Sequence, residues 1–73
     1  MKLYTQNVCP KCMLVKFIIE QAGKESQVEY INLDENEGIR EELKGKGFQS
    51  LPILEFNDEY YINQTEITKI INS

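Results

Sequence analysis

The first 33 residues run through strand, helix and strand patterns in turn, and this order constrains the fold more than any other feature. Lys2-Leu3-Tyr4-Thr5 reads as a short strand that stops at the polar pair Gln6-Asn7. Pro10 suits the first turn of a helix, where a missing N–H is no loss. Beyond it Leu14, Val15, Ile18, Ile19 and Ala22 recur at three- and four-residue spacing, predicting a helix to about Gly23, the expected C-terminal stop. Val28-Glu29-Tyr30-Ile31-Asn32-Leu33 is rich in β-formers and predicts a second strand. A strand–helix–strand unit implies a right-handed crossover between parallel strands.

The remaining residues extend this core. Asp34 and Asn36 open a second helix carrying Ile39 and Leu43 and closed by Lys44-Gly45-Lys46-Gly47. Residues 52–56 form an expected third strand, Asn57-Asp58 a hairpin turn, and Glu59-Tyr60-Tyr61-Ile62 a fourth strand. A last helix begins near Asn63 and is expected to bury Ile67, Ile70 and Ile71. Asn63 and Glu66, three residues apart, have the form of a capping box. The hairpin makes its strands antiparallel. The whole chain, 1–73, thus reads as one α/β domain of order βαβ-α-ββ-α, with a four-stranded mixed sheet covered by helices on both faces. That arrangement resembles a minimal thioredoxin-like fold.

Composition narrows the function classes. A chain of 73 residues buries only about 60% of its unfolded surface, so one efficient core is required. Net charge is −4 with no basic block, which argues against nucleic acid as a partner. No apolar run approaches the roughly 20 residues of a membrane helix; the longest, Met13 to Ile19, is interrupted by Lys16. The start of the chain turns polar too early for a secretory leader, so a cytoplasmic location, without membrane attachment, is the expectation. In a reducing compartment a single Cys pair is more often catalytic or metal-binding than a structural staple.

That pair is Cys9-Pro10-Lys11-Cys12, at the junction of the first strand and first helix. Thiol–disulfide exchange needs a thiolate attacker and a second thiol near enough to resolve the mixed disulfide. A sulfur just before a helix meets unpaired N–H groups and the positive end of the macrodipole, which favour the thiolate. Cys9 is therefore expected to be the nucleophile and Cys12, one turn inside and more shielded, the resolving thiol. Lys11 adds positive charge, and Pro10 sets the helix start. Two other readings use the same residues. Zinc sites share the spacing, but a closed site needs four ligands, and the chain has two Cys and no His, so no metal is expected. Two incidental core thiols are the plainer alternative.

A first strand, then Cys9-Pro10-Lys11-Cys12 opening a helix, then Ser50-Leu51-Pro52 some forty residues on, resembles glutaredoxin over essentially the whole chain. The resemblance implies a redox-active Cys9–Cys12 disulfide and a cis Leu51–Pro52 bond presenting the Leu51 backbone to an incoming thiol peptide. A trans proline starting an edge strand is the alternative without the family. It further implies glutathione as co-substrate, no tightly bound cofactor, and disulfide-containing proteins as partners of a monomer. Lys11, Leu51, Pro52, Thr65 and Glu66 fall at the thiol-substrate and glutathione positions, with Lys44 or Lys46 as a possible basic contact. Lys11 stands where the family usually carries an aromatic residue. Asn63-Gln64-Thr65-Glu66 stands where it tends to carry Gly-Gly, a small polar residue and Asp. Those departures leave room for recycling by a flavoprotein reductase, with ribonucleotide reductase as one acceptor, or for a dimer sharing an iron–sulfur cluster. Tyr4, Tyr30, Tyr60 and Tyr61 are expected in strands, Lys16 at the surface, and the run Asp34-Glu35-Asn36-Glu37 facing solvent.

Overall fold

Leu3 and Tyr4 are consecutive, so in an extended strand their side chains leave on opposite faces. In the computed structural model, which describes all 73 residues, both are buried and each belongs to a separate apolar cluster. They lie in β1 (Lys2–Thr5). After it come α1 (Pro10–Gln21), one 3₁₀ turn at Glu25–Gln27, β2 (Glu29–Asn32), α2 (Glu37–Gly45), β3 (Ile53–Phe56), β4 (Glu59–Tyr61) and α3 (Gln64–Asn72). The sheet order is β2-β1-β3-β4, with β1 parallel to β2 and β3 antiparallel to both β1 and β4. This is the mixed, thioredoxin-like sheet that the element order implies.

The two faces are covered unequally. Leu3 and Leu54 meet Val15 and Ile19 of α1, Ile67 and Ile71 of α3, and Val28. Tyr4 and Ile53 meet Leu33 and Leu43, the latter from α2. So α1 and α3 share one face and α2 covers the other. Central strands covered on both sides must be apolar at consecutive positions, as Leu3-Tyr4 and Ile53-Leu54 are. No helix is long and apolar enough to cross a membrane.

Glycine ends both longer loops' preceding helices as anticipated. Gly23, at φ +69°, donates to Glu20 O at 3.0 Å, and Lys24 N–H reaches Ile19 O at 3.1 Å. Gly47, at φ +91°, donates to Lys44 O at 2.9 Å, with Phe48 N–H on Leu43 O at 2.9 Å. Both are the paired bonds of a Schellman end, whose left-handed residue favours glycine. Asn57 and Asp58 both have positive φ, 52° and 64°, and close the tight hairpin.

Several boundaries differ from expectation. α1 stops at Gln21, because Ala22 and Gly23 form its cap. Its buried row is Cys12, Val15 and Ile19, which leaves Leu14 exposed. Val28 is outside β2, since its N–H closes the 3₁₀ turn on Glu25 O at 3.2 Å. Leu33 also falls outside β2, and Pro52, with no N–H to donate, precedes β3. Ile62 lies beyond β4 and is exposed. Ile70 is only partly buried.

Candidate active site

The ends of the strands bring the cysteines and the proline to one edge of the sheet. Thr5, the last residue of β1, is opposite Asn32, the last of β2. Tyr4 opposite Ile53 puts the start of β3, and hence Leu51–Pro52, at that same edge. Tyr61 opposite Leu54 brings the exit of β4 and the start of α3 there too. Cys9, Pro10, Lys11, Cys12, Leu51, Pro52, Thr65 and Glu66 all sit on the loops and helix starts of this edge.

Cys9 is the N-cap of α1, in extended conformation, and Pro10 follows at the first helical position. Its Sγ accepts a hydrogen bond from the Cys12 backbone N–H at 3.1 Å, and its carbonyl accepts from Met13 N–H at 3.1 Å. A sulfur thus takes the place that Ser, Thr, Asp or Asn fills at most helix starts. The Cys9 and Cys12 sulfurs are bonded to each other, with Cα atoms 5.2 Å apart. Cys9 retains 7% exposure and Cys12 only 1%, so an attacking thiol meets Cys9 first. Lys11 is exposed, and the first turn of α1 holds no acidic side chain to oppose a thiolate. The Leu51–Pro52 peptide is cis, and Pro52 is buried.

The start of α3 is arranged differently. Asn63 Oδ1 accepts from Thr65 N–H at 2.9 Å and from Glu66 N–H at 3.3 Å. The return bond of a capping box, from the Asn63 N–H to the Glu66 carboxylate, is not made; only the asparagine half forms. Thr65 and Glu66 are exposed, but their backbone donors are occupied by the chain's own cap.

The two candidate lysines separate. Lys44 lines a small cleft with Arg40, Gln49 and Leu51, close to the proline. Lys46 instead donates to the Tyr60 hydroxyl at 3.1 Å and lies 3.4 Å from Glu42 Oε1. The Tyr60 hydroxyl raises its pKa, desolvation opposes that rise, and the Glu42 carboxylate adds a smaller upward push. All four tyrosines lie in strands. Tyr4, 5% exposed, donates to Glu55 Oε1 at 2.6 Å; burial first, then that bond, push its pKa well above the ordinary tyrosine range. Lys16 is half-buried, its Nζ 5.8 Å from the centre of the Tyr30 ring.

One group of residues was given no part in the site by the sequence. Asp34 Oδ2 accepts from the Asn7 backbone N–H at 2.7 Å, and Asp34 Oδ1 receives Arg40 Nη2 at 2.8 Å. Asn32 Nδ2 donates to Asn7 Oδ1 at 2.7 Å, while Asn32 Oδ1 accepts from Asp34 N–H at 2.9 Å. Asp34, read from the sequence as solvent-facing, is exposed as expected but ties two loops together. Its only sequence signal is the Asn32-x-Asp34 turn pattern.

A mixed sheet with a Cys9–Cys12 disulfide at the start of its first helix defines a redox domain of thioredoxin-like fold. The family model for glutaredoxin matches residues 1–61. A relative described as "Probable Thioredoxin", from Archaeoglobus fulgidus, is 41% identical over 64 residues, covering 85% of this chain and 69% of the relative. The chain belongs to the glutaredoxin family.

Proposed function

We propose that this chain is a thiol–disulfide oxidoreductase that reduces disulfides in proteins and is itself recycled by a flavoprotein reductase. The observation that carries the chemistry is the Cys9 cap: its sulfur receives the Cys12 N–H, is the more exposed of the pair, and has no acidic neighbour in the first turn. The Cys9 thiolate attacks one substrate sulfur, forming a Cys9–substrate disulfide and releasing the other substrate sulfur as thiolate. The Cys12 thiolate then attacks Cys9 Sγ, closing the Cys9–Cys12 disulfide and releasing the second substrate thiolate. Two electrons pass to the substrate, which takes up two protons. The reductase returns two electrons and restores the dithiol.

The start of α3 supports the choice of reductant. A glutathione carboxylate would use free N–H groups there, but Thr65 and Glu66 give theirs to Asn63. Glutathione recycling, with glutathione held by Lys11, Leu51, Pro52, Thr65 and Glu66, is the second reading. Family membership favours it, as does the position of these residues at one edge. A monomer working in a reducing cytoplasm fits either reading.

Steady-state reduction of a protein disulfide separates them. Turnover is expected with NADPH and a thioredoxin reductase, and to be slower with glutathione and its reductase. Equal or faster turnover with glutathione would replace the first reading by the second.

A further inference from the structure

We infer that Asp34, braced by Arg40, is a positioning residue that holds the loop carrying Cys9 in its helix-capping geometry. The inference rests on the oxidoreductase reading above and adds a residue from another part of the chain to its machinery.

The loop between β1 and α1 has little apolar anchorage. Asn7 is exposed and Val8 is 85% exposed, so nothing packs them in place. The one internal bond is a long one, Gln6 Nε2 to Val8 O at 3.4 Å. What fixes the loop is Asn7, held twice: its N–H by Asp34 at 2.7 Å and its side-chain oxygen by Asn32 at 2.7 Å. Asn32 ends β2 and Asp34 lies two residues beyond it, and the orientation of both is set. Asp34 N–H bonds Asn32 Oδ1 at 2.9 Å, Asn36 Nδ2 bonds Asn32 O at 2.8 Å, and Arg40 of α2 bonds the second carboxylate oxygen at 2.8 Å. Each Asp34 oxygen thus has one partner, one on the Cys9 loop and one on α2.

Stability alone is a poor explanation of this arrangement. The Asp34 and Arg40 side chains are 37% and 23% exposed, and ion pairs in such settings contribute little. Charge alone is also a poor explanation, because a carboxylate near the nucleophile's loop would disfavour a thiolate there. A carboxylate is useful here as a strong acceptor for a backbone N–H, and Arg40 offsets its charge. The bond stands two residues ahead of Cys9. A cap works only while its acceptor stays within reach of the helix N–H groups, so holding Asn7 holds the Cys9 sulfur on Cys12 N–H.

The test exploits the opposite signs of geometry and charge. Reduced wild-type protein, Asp34→Ala and Asp34→Asn are alkylated with iodoacetamide across pH, and kcat/KM for disulfide reduction is measured beside each profile. Loss of charge alone would lower the Cys9 midpoint in Asp34→Ala, since one negative charge leaves the loop while Arg40 keeps only Glu37, 3.7 Å away, as its partner. Loss of position raises it. The expected result is a raised midpoint and a fall of about tenfold in kcat/KM for Asp34→Ala. Asp34→Asn, which keeps an oxygen acceptor for Asn7 N–H, should retain both near wild type. Asn7→Ala removes only the side-chain half of the clamp, should show a smaller rise, and carries the test if Asp34→Ala does not fold. An unchanged or lowered midpoint in both alanine variants, or an equal rise in Asp34→Asn, overturns the positioning role. A wild-type midpoint at the free-thiol value would instead overturn the oxidoreductase reading.

Discussion

The two helix starts at the active edge use one electrostatic device for different ends. At α1 the cap is Cys9, whose sulfur accepts from the third helical N–H, on Cys12. At α3 the cap is Asn63, whose amide oxygen accepts from the second and third, on Thr65 and Glu66. Both sites offer the unpaired donors and positive dipole end that favour an anion. At α1 the acceptor is the sulfur that the proposed mechanism makes the nucleophile, so the helix would stabilise its thiolate. At α3 the acceptor is an amide side chain, and the same capacity caps the helix. On the function proposed above, a member of the glutaredoxin family would keep its dithiol chemistry at α1 while the donors of α3 serve the chain's own cap.

Breaking the α1 side has the largest effect. Cys9→Ser is expected to abolish disulfide turnover, whereas Cys12→Ser should retain the first step and accumulate a mixed disulfide with substrate, detectable as a mass increase. Full turnover in the Cys9 variant would remove the assignment of roles. Next comes the core that both helices share. Ile67 is fully buried beside Val15 and Ile19, so Ile67→Ala should cost about 2–5 kcal/mol. In so small a domain that is a large part of the total, and denaturant unfolding would register it as a lower midpoint.

The α3 side can be broken more gently. Asn63→Ala should cost about 1 kcal/mol, and Asn63→Gly only a few tenths relative to the native cap. A loss near 1 kcal/mol would lower Tm by roughly 4–8 °C. Asn63→Gly frees the Thr65 and Glu66 donors without adding a side chain, so it should lower the KM for glutathione in a coupled assay. An unchanged KM would mean that the asparagine does not control that site.

The smallest effect lies with the tyrosines of the sheet. Burial and the Glu55 bond raise the folded-state pKa of Tyr4, and Tyr30 and Tyr61 shift the same way. A raised value means the folded state holds the proton more tightly than the unfolded chain, whose tyrosines titrate near pH 10. This contribution is complete below about pH 10 and declines above it as the unfolded state loses protons first. Stability should therefore fall on the alkaline side, and Tyr4→Phe should flatten that fall without altering thiol reactivity.

The strands, helices and reactive pair were legible because each has a local signature. Val15 and Ile19 carry a helical period, and Gly23 and Gly47 mark left-handed helix ends. Asn57-Asp58 marks the tight turn, and Pro10 fixes a helix start between two cysteines. The features that were not legible depend on bonds between polar groups that no period announces. Asn7 meets Asp34 across 27 positions. Asn63 and Glu66 have the spacing of a whole capping box, and nothing in the sequence says that Glu66 fails to complete it. Lys44 and Lys46 look equivalent until Tyr60 and Glu42 are brought against one of them. The 3₁₀ turn at Glu25–Gln27 sits between elements, where no repeat is long enough to show.

The central claim, that Cys9 is activated as the cap of α1, is tested most directly by titrating the thiolate absorbance of the reduced protein against pH, with Cys9→Ser as the reference. The account predicts a Cys9 midpoint below the free-thiol value of about 8.5, absent from the reference variant. A midpoint at or above that value would contradict it.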